Sequence, residues 1–153
     1  MATLTVTHKV DITLNGSPVG GTQTKSITGI NEASKRILTI TTNEAVIATM
    51  SGAVASAGHF NDSAVRYMRF TNLDGTNHVT LTFRNQDNDE FAIKVDAGNS
   101  LAIYSDNDGG MVAMFNATQD ADAASDTALG SITNIQADAG ASTVRIEMFV
   151  ATT

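Results

Sequence analysis

Two acidic tracts are the most obvious candidates for chemistry in this chain. RNQDNDE, residues 84–90, carries Asp87, Asp89 and Glu90, and SDNDGG, residues 105–110, carries Asp106 and Asp108. Carboxylates at this density suit calcium, which takes six to eight oxygen ligands. A helix–loop–helix calcium loop opening at Asp106 needs a bidentate Glu at its twelfth position, which here is Ala117. The competing reading is turns, because Asn, Asp and Gly bond their own backbone and tolerate left-handed dihedrals. Turns are the favoured reading of both tracts, and calcium at Asp87/Asp89 or Asp106/Asp108 stays open beside it.

The other reactive residue types are dispersed. His8, His59 and His78 lie on separate segments, without the spacing that gathers zinc ligands, and there is no cysteine. His8 falls on an otherwise apolar strand face, which suits a packed or interface residue better than a ligand. Serine and threonine are plentiful, but no Gly-x-Ser-x-Gly elbow is present. Glycosidase chemistry needs paired carboxylates in a cleft, and a chain with no Trp offers little sugar platform. GSPVGG and SDNDGG contain glycines but lack the continuations that cradle phosphate. No catalytic, cofactor-binding or metal residue is assigned, no cofactor is expected, and a non-enzyme is the expectation.

Charge and composition narrow the partners. The 153 residues carry a formal charge of −7, with 16 acidic against 9 basic side chains, and only Lys35-Arg36 are adjacent basic residues. Phosphate backbones are held by clustered cations, so direct nucleic-acid binding is disfavoured, as is an anionic membrane. No apolar run approaches the length of a membrane span, and the N-terminus lacks a secretory profile. The chain is expected to be made in the cytoplasm, staying there or leaving by lysis or assembly. Arg66, Arg69, Arg84 and Arg145 fall on expected strands, where they are solvated or pair with an acidic neighbour subunit. The six methionines read as core filler rather than an adaptable surface.

The elements that must carry these residues are strands. Thr and Ala each occur 21 times, and the Thr-rich, Lys-poor composition suits strands. From Thr3 to Leu14 the alternation is nearly clean, with Leu4, Val6, Val10, Ile12 and Leu14 on one face. NGSPVGG ends that strand in a loop or wide turn. RILTITT and EAVIATM give two more strands, and SGAVASAGHFND is favoured as a loop. AVRYMRFTN carries bulk on both faces, as in a strand covered on two sides, and Leu73-Asp74-Gly75 supplies a turn of hairpin chemistry. Val79, Leu81 and Phe83, then Phe91, Ile93 and Val95, then Leu101 and Ile103 mark three strands; Met111 to Phe115 reads as a possible fourth. ATQDADAASDTALG is expected to be an exposed loop. SITNIQA and STVRIEMFV close the chain, with Val144, Ile146, Met148 and Val150 on one face. Eight to ten short strands and no long helix give an all-β, single-domain antiparallel sandwich spanning 1–153, with a two-sheet jelly roll as its expected form.

The segments VRYMRFTNLDGTNHVTLTF and DEFAIKVDAGNSLAIYS carry an F-x-I-x-V-x-x-G-x-S-x-x-I pattern on Phe91, Ile93, Val95, Gly98, Ser100 and Ile103. With the ending ITNIQADAGASTVRIEMFVAT, they resemble structural proteins of tailed-bacteriophage virions, in particular capsid decoration (cement) proteins. The likeness covers residues 65–105 and 132–152. It implies a jelly roll made in the host cytoplasm, acting without catalysis as a homotrimer on the capsid exterior and bridging major capsid protein subunits. Under this reading the N-terminal strand, residues 3–14, engages a neighbouring subunit by adding to its sheet edge. A tail or fibre accessory module, binding a receptor or sugar surface, is the alternative.

Overall fold

The computed structural model describes residues 1–53, 56–106, 109–115 and 132–153. The chain opens as a long two-stranded ribbon. Strand β1 (Ala2–Val10) leads through a tip formed by β2 (Thr13–Leu14) and β3 (Ser17–Pro18) into the returning β4 (Gly21–Ile30). Alternating Thr and Val favour the extended backbone of β1. Asn15 and Gly16, at φ 52° and 81°, form the two-residue turn between Leu14 and Ser17, the positive-φ pairing that matches strand twist. The expected single strand from Thr3 to Leu14 is therefore two, broken at Asp11-Ile12, and the expected loop at 15–21 is a small hairpin of its own. Gly20 joins the tip hairpin to β4, and a Cβ there would drive into the Val10 carbonyl oxygen.

Eight strands then build the body: β5 (Glu32–Ile40), β6 (Ala45–Met50), β8 (Val65–Asn72), β9 (Val79–Asn85), β10 (Glu90–Val95), β11 (Ser100–Tyr104), β12 (Ile132–Ala139) and β13 (Val144–Thr152). The two-residue β7 (His59–Phe60) runs parallel beside β6. Two sheets result, in the orders β11-β8-β13-β5 and β10-β9-β12-β6-β7. Four antiparallel pairings are nested: β5 with β13, β6 with β12, β8 with β11 and β9 with β10. One long four-rung ribbon is thereby folded across two stacked sheets, which is the jelly-roll arrangement. The protein is an all-β sandwich of this form.

The core lies between the sheets because each strand turns alternate residues inward. Met68, Phe70, Ile146, Met148 and Val150 from one sheet meet Leu81, Phe83 and Ile135 from the other. Phe83 stacks on Phe91 at 4.7 Å between ring centres and meets Phe70 edge-on at 6.3 Å. Residues 111–115 are not a strand but part of the short helix α1 (Gly110–Phe115). Met111, Met114 and Phe115 recur at helical spacing and all pack against the core. The Asp74 turn is also not a hairpin: it carries the chain from one sheet to the other. Its carboxylate accepts the amides of Asn77 at 2.7 Å and Thr76 at 2.8 Å, which lower its pKa. The expected loop at 51–62 is a loop apart from β7, with 54–55 outside the described residues; the expected loop at 117–130 lies outside them altogether.

Candidate functional site

The first acidic tract is a turn, and the second shows none over the described residues 105 and 106. Asn85 Oδ1 accepts the amides of Asp87 at 2.9 Å and Asp89 at 2.8 Å, and Asn85 Nδ2 donates to Asp89 Oδ2 at 3.2 Å. Asn88 takes the left-handed conformation at φ 66°. This Asn-centred network closes the β9–β10 hairpin on itself. In the second tract Asp106 pairs with Lys25 Nζ at 2.5 Å, and that hydrogen bond lowers its pKa; Asp108 lies outside the described residues. Among the described residues, no three His, Asp or Glu side chains converge on one point. His8, His59 and His78 stay apart, on β1, on β7 and just before β9. His8 is an exposed residue stacked on Tyr104 at 5.5 Å, rather than a core one.

The ribbon is the feature that organises the surface. One of its faces rests on the outer side of the β11-β8-β13-β5 sheet. Leu4, Val6, Ile27 and Ile30 pack there with Tyr67, Tyr104, Phe149 and Ala151. This second layer explains why β8 carries bulk on both sides: Met68 and Phe70 face the inter-sheet core, and Tyr67 faces the ribbon. Two further contacts pin the ribbon, the Lys25–Asp106 pair and the His8–Tyr104 stack. Along the seam runs an open groove of about 680 Å³, lined by Leu4, Val6, His8, Tyr67, Arg69 and Phe149 among others.

Arg69, which lines that groove, is already paired within the chain. Arg69 Nη2 meets Glu147 Oε1 at 2.7 Å, and Lys35 Nζ meets Glu147 Oε2 at 2.8 Å. Lys35 first, then Arg69, lowers the pKa of Glu147 by hydrogen bonding. Arg69 also lies over the Phe149 ring at 5.9 Å. Arg84 pairs with Glu90 across the β9–β10 hairpin, and Arg66 Nη1 donates to the Ser63 carbonyl at 2.9 Å. Three of the four strand arginines thus have partners inside this chain. Arg145 is exposed.

Beyond its docked base the ribbon changes character. The same apolar stripe continues through Val10, Ile12 and Leu14, now 62%, 48% and 57% exposed, with Val19 beside them at 57%. Val19 donates its amide to the Ile12 carbonyl at 3.0 Å, fixing the two strands of the tip to each other. At about 3.3 Å per residue, Val10 to Leu14 extends roughly 13 Å past the packed region. Soluble proteins rarely leave contiguous large apolar side chains bare without a use for them. Sequence reasoning placed Val10, Ile12 and Leu14 on one face but missed Val19, Ile27 and the whole of β4. The signal available was Asn15-Gly16, the strongest short hairpin marker, followed by the alternating TQTKSI.

The chain matches no protein-family model and no curated protein. A solved structure of a Bacillus endospore appendage, described as one of a novel family of disulfide-linked pili, is similar to it at 14% identity. The match covers 80% of this chain and 85% of that one, with a TM-score of 0.44, and a likeness so distant carries no argument about function.

Proposed function

We propose that this is a non-enzymatic structural protein that works by subunit contact, and that its place is the exterior of a tailed-phage capsid, where it bridges major capsid protein subunits as a decoration protein. The observation that carries the contact reading is the bare apolar end of a pinned β-ribbon. An arm with Val10, Ile12, Leu14 and Val19 exposed is built to be covered. Supporting the finer reading is the sequence resemblance over 65–105, the segment that folds as β8 to β11. A jelly-roll body is the fold that resemblance implies, although a fold by itself names no function.

The physics of such a role is undemanding. Fully burying one Val, Leu or Ile stabilises by about 1.5–3 kcal/mol. Four half-exposed side chains therefore offer roughly 3–6 kcal/mol, too little for a durable one-to-one complex once association entropy is counted. Repetition over a shell converts such modest contacts into avidity. Cryo-electron microscopy of particles that carry the protein tests the proposal. Density on the shell exterior at joints between major capsid subunits is the expected result. Density confined to the tail would transfer the protein to the accessory or fibre role, and absence from particles would remove the virion reading.

A further inference from the structure

We infer that the bare stripe at the ribbon tip is a self-association surface, packing against the same stripe of a second copy of this chain. Three observations select that occupant. First, the stripe continues a face already used for packing: Leu4, Val6 and Ile27 of the same ribbon face are covered by the body, and Val10, Ile12 and Leu14 run on beyond it. Second, the tip is electrically silent. From Ile12 to Thr24 there is no ionisable side chain, in a chain of net charge −7. Two copies repel each other through most of their surface, and the tip is where they approach without that penalty. An acidic or basic partner finds no complement there, whereas an identical neutral stripe meets it without charge repulsion. Third, β1 and β4 pair only with each other among the described residues. The outer edges of the ribbon thus leave backbone donors and acceptors for strand pairing with a neighbour, as exposed edges do.

The other exposed apolar residues do not compete. Ile37, Val46 and Leu73 lie singly on β5, on β6 and just after β8, and isolated surface hydrophobes are ordinary. The inference rests on the proposed contact role and names a second copy of the chain as the occupant of that same tip. It is tested on purified protein with no particle present.

Sedimentation velocity of the full chain is expected to show reversible, concentration-dependent association. Combining Val10→Thr, Ile12→Ser, Leu14→Ser and Val19→Thr weakens it at least about tenfold, while the thermal midpoint and the circular dichroism spectrum stay those of the parent. Because the chain has no cysteine, Leu14→Cys gives a clean second readout: mild oxidation yields disulfide dimers, and Ile37→Cys under the same conditions does not. A chain that stays monomeric up to about 1 mM overturns the inference, as does association that survives the tip substitutions or tip-dependent binding to phosphatidylcholine vesicles without self-association. A monomeric protein that still decorates particles would overturn this inference alone; a tip-linked dimer absent from every particle would overturn only the virion reading.

Discussion

Replacing Ile27 by Ala and, separately, Phe83 by Ala should separate two layers of stability in this molecule. Both side chains are fully buried, but in different clusters. Ile27 is held beneath the ribbon with Val6, Ile30, Tyr67 and Ala151. Its truncation costs about 2–5 kcal/mol in lost transfer energy and cavity. The ribbon contributes three buried apolar side chains to that seam, Val6, Ile27 and Ile30, together worth at most roughly 5–9 kcal/mol before the entropy of ordering is subtracted. Removing Ile27 therefore takes away most of the net docking margin, and the ribbon detaches while the sandwich stays folded. Phe83 instead touches Phe70, Phe91 and Phe115 at the centre of the sandwich. Its loss, about 3–5 kcal/mol, falls on global stability. Hydrogen exchange read by mass spectrometry separates the cases. Ile27→Ala should strip protection from residues 2–30 and leave 79–85 and 132–139 protected; Phe83→Ala should weaken all of them together. If Ile27→Ala loosens 79–85 and 132–139 as much as the ribbon, the two layers form one cooperative unit and the reasoning fails.

Further tests follow from the same geometry. Gly20→Ala, which forces a methyl group against the Val10 carbonyl, should shift amide resonances of residues 10–21 while the thermal midpoint of the body stays within about 2 °C. The pKa values of Asp74, Asp106 and Glu147 are all lowered by folding. Their stabilisation is present above the unfolded carboxylate range and lost as pH falls through the lowered folded values. Urea midpoints should accordingly decline below about pH 4.5, and Glu147→Gln should flatten that decline; an unchanged acid limb would count against the Lys35–Glu147–Arg69 assignment. Lys25→Ala removes an exposed pair with Asp106 and should leave the urea midpoint of the body unchanged within error.

The sandwich was legible where one strand face meets one core. Val144, Ile146, Met148 and Val150 alternate without interruption, and all four are buried between the sheets. Strand β4 was not legible, because its ten residues hold only two large apolar side chains, Ile27 and Ile30. These two sit three apart across Gly29, whose φ of +79° breaks the period. Residues 111–115 misled because a short apolar run fits a strand and a helical turn equally well, and only packing decides. The nested order of strands has no local signature, since β5 and β13 are about a hundred residues apart. At the candidate site, the alternation from Leu4 to Leu14 reads the same on its covered and bare halves. Only the body ending beneath His8 makes Val10, Ile12 and Leu14 different.

The nesting also dictates an order of events during synthesis. Strand β13 lies inside its sheet, hydrogen-bonded to β8 on one side and β5 on the other. Until the ribosome delivers it, β5 has no strand to join and β8 keeps a raw edge, so the growing polypeptide carries half a sheet that cannot close. The local hairpin of β9 and β10 is free to form early, whereas the join of β5 to β13 must wait for the final stretch of translation. Premature termination anywhere before Val144 would release a chain with unpaired strands and an uncovered interior, the state most prone to clump.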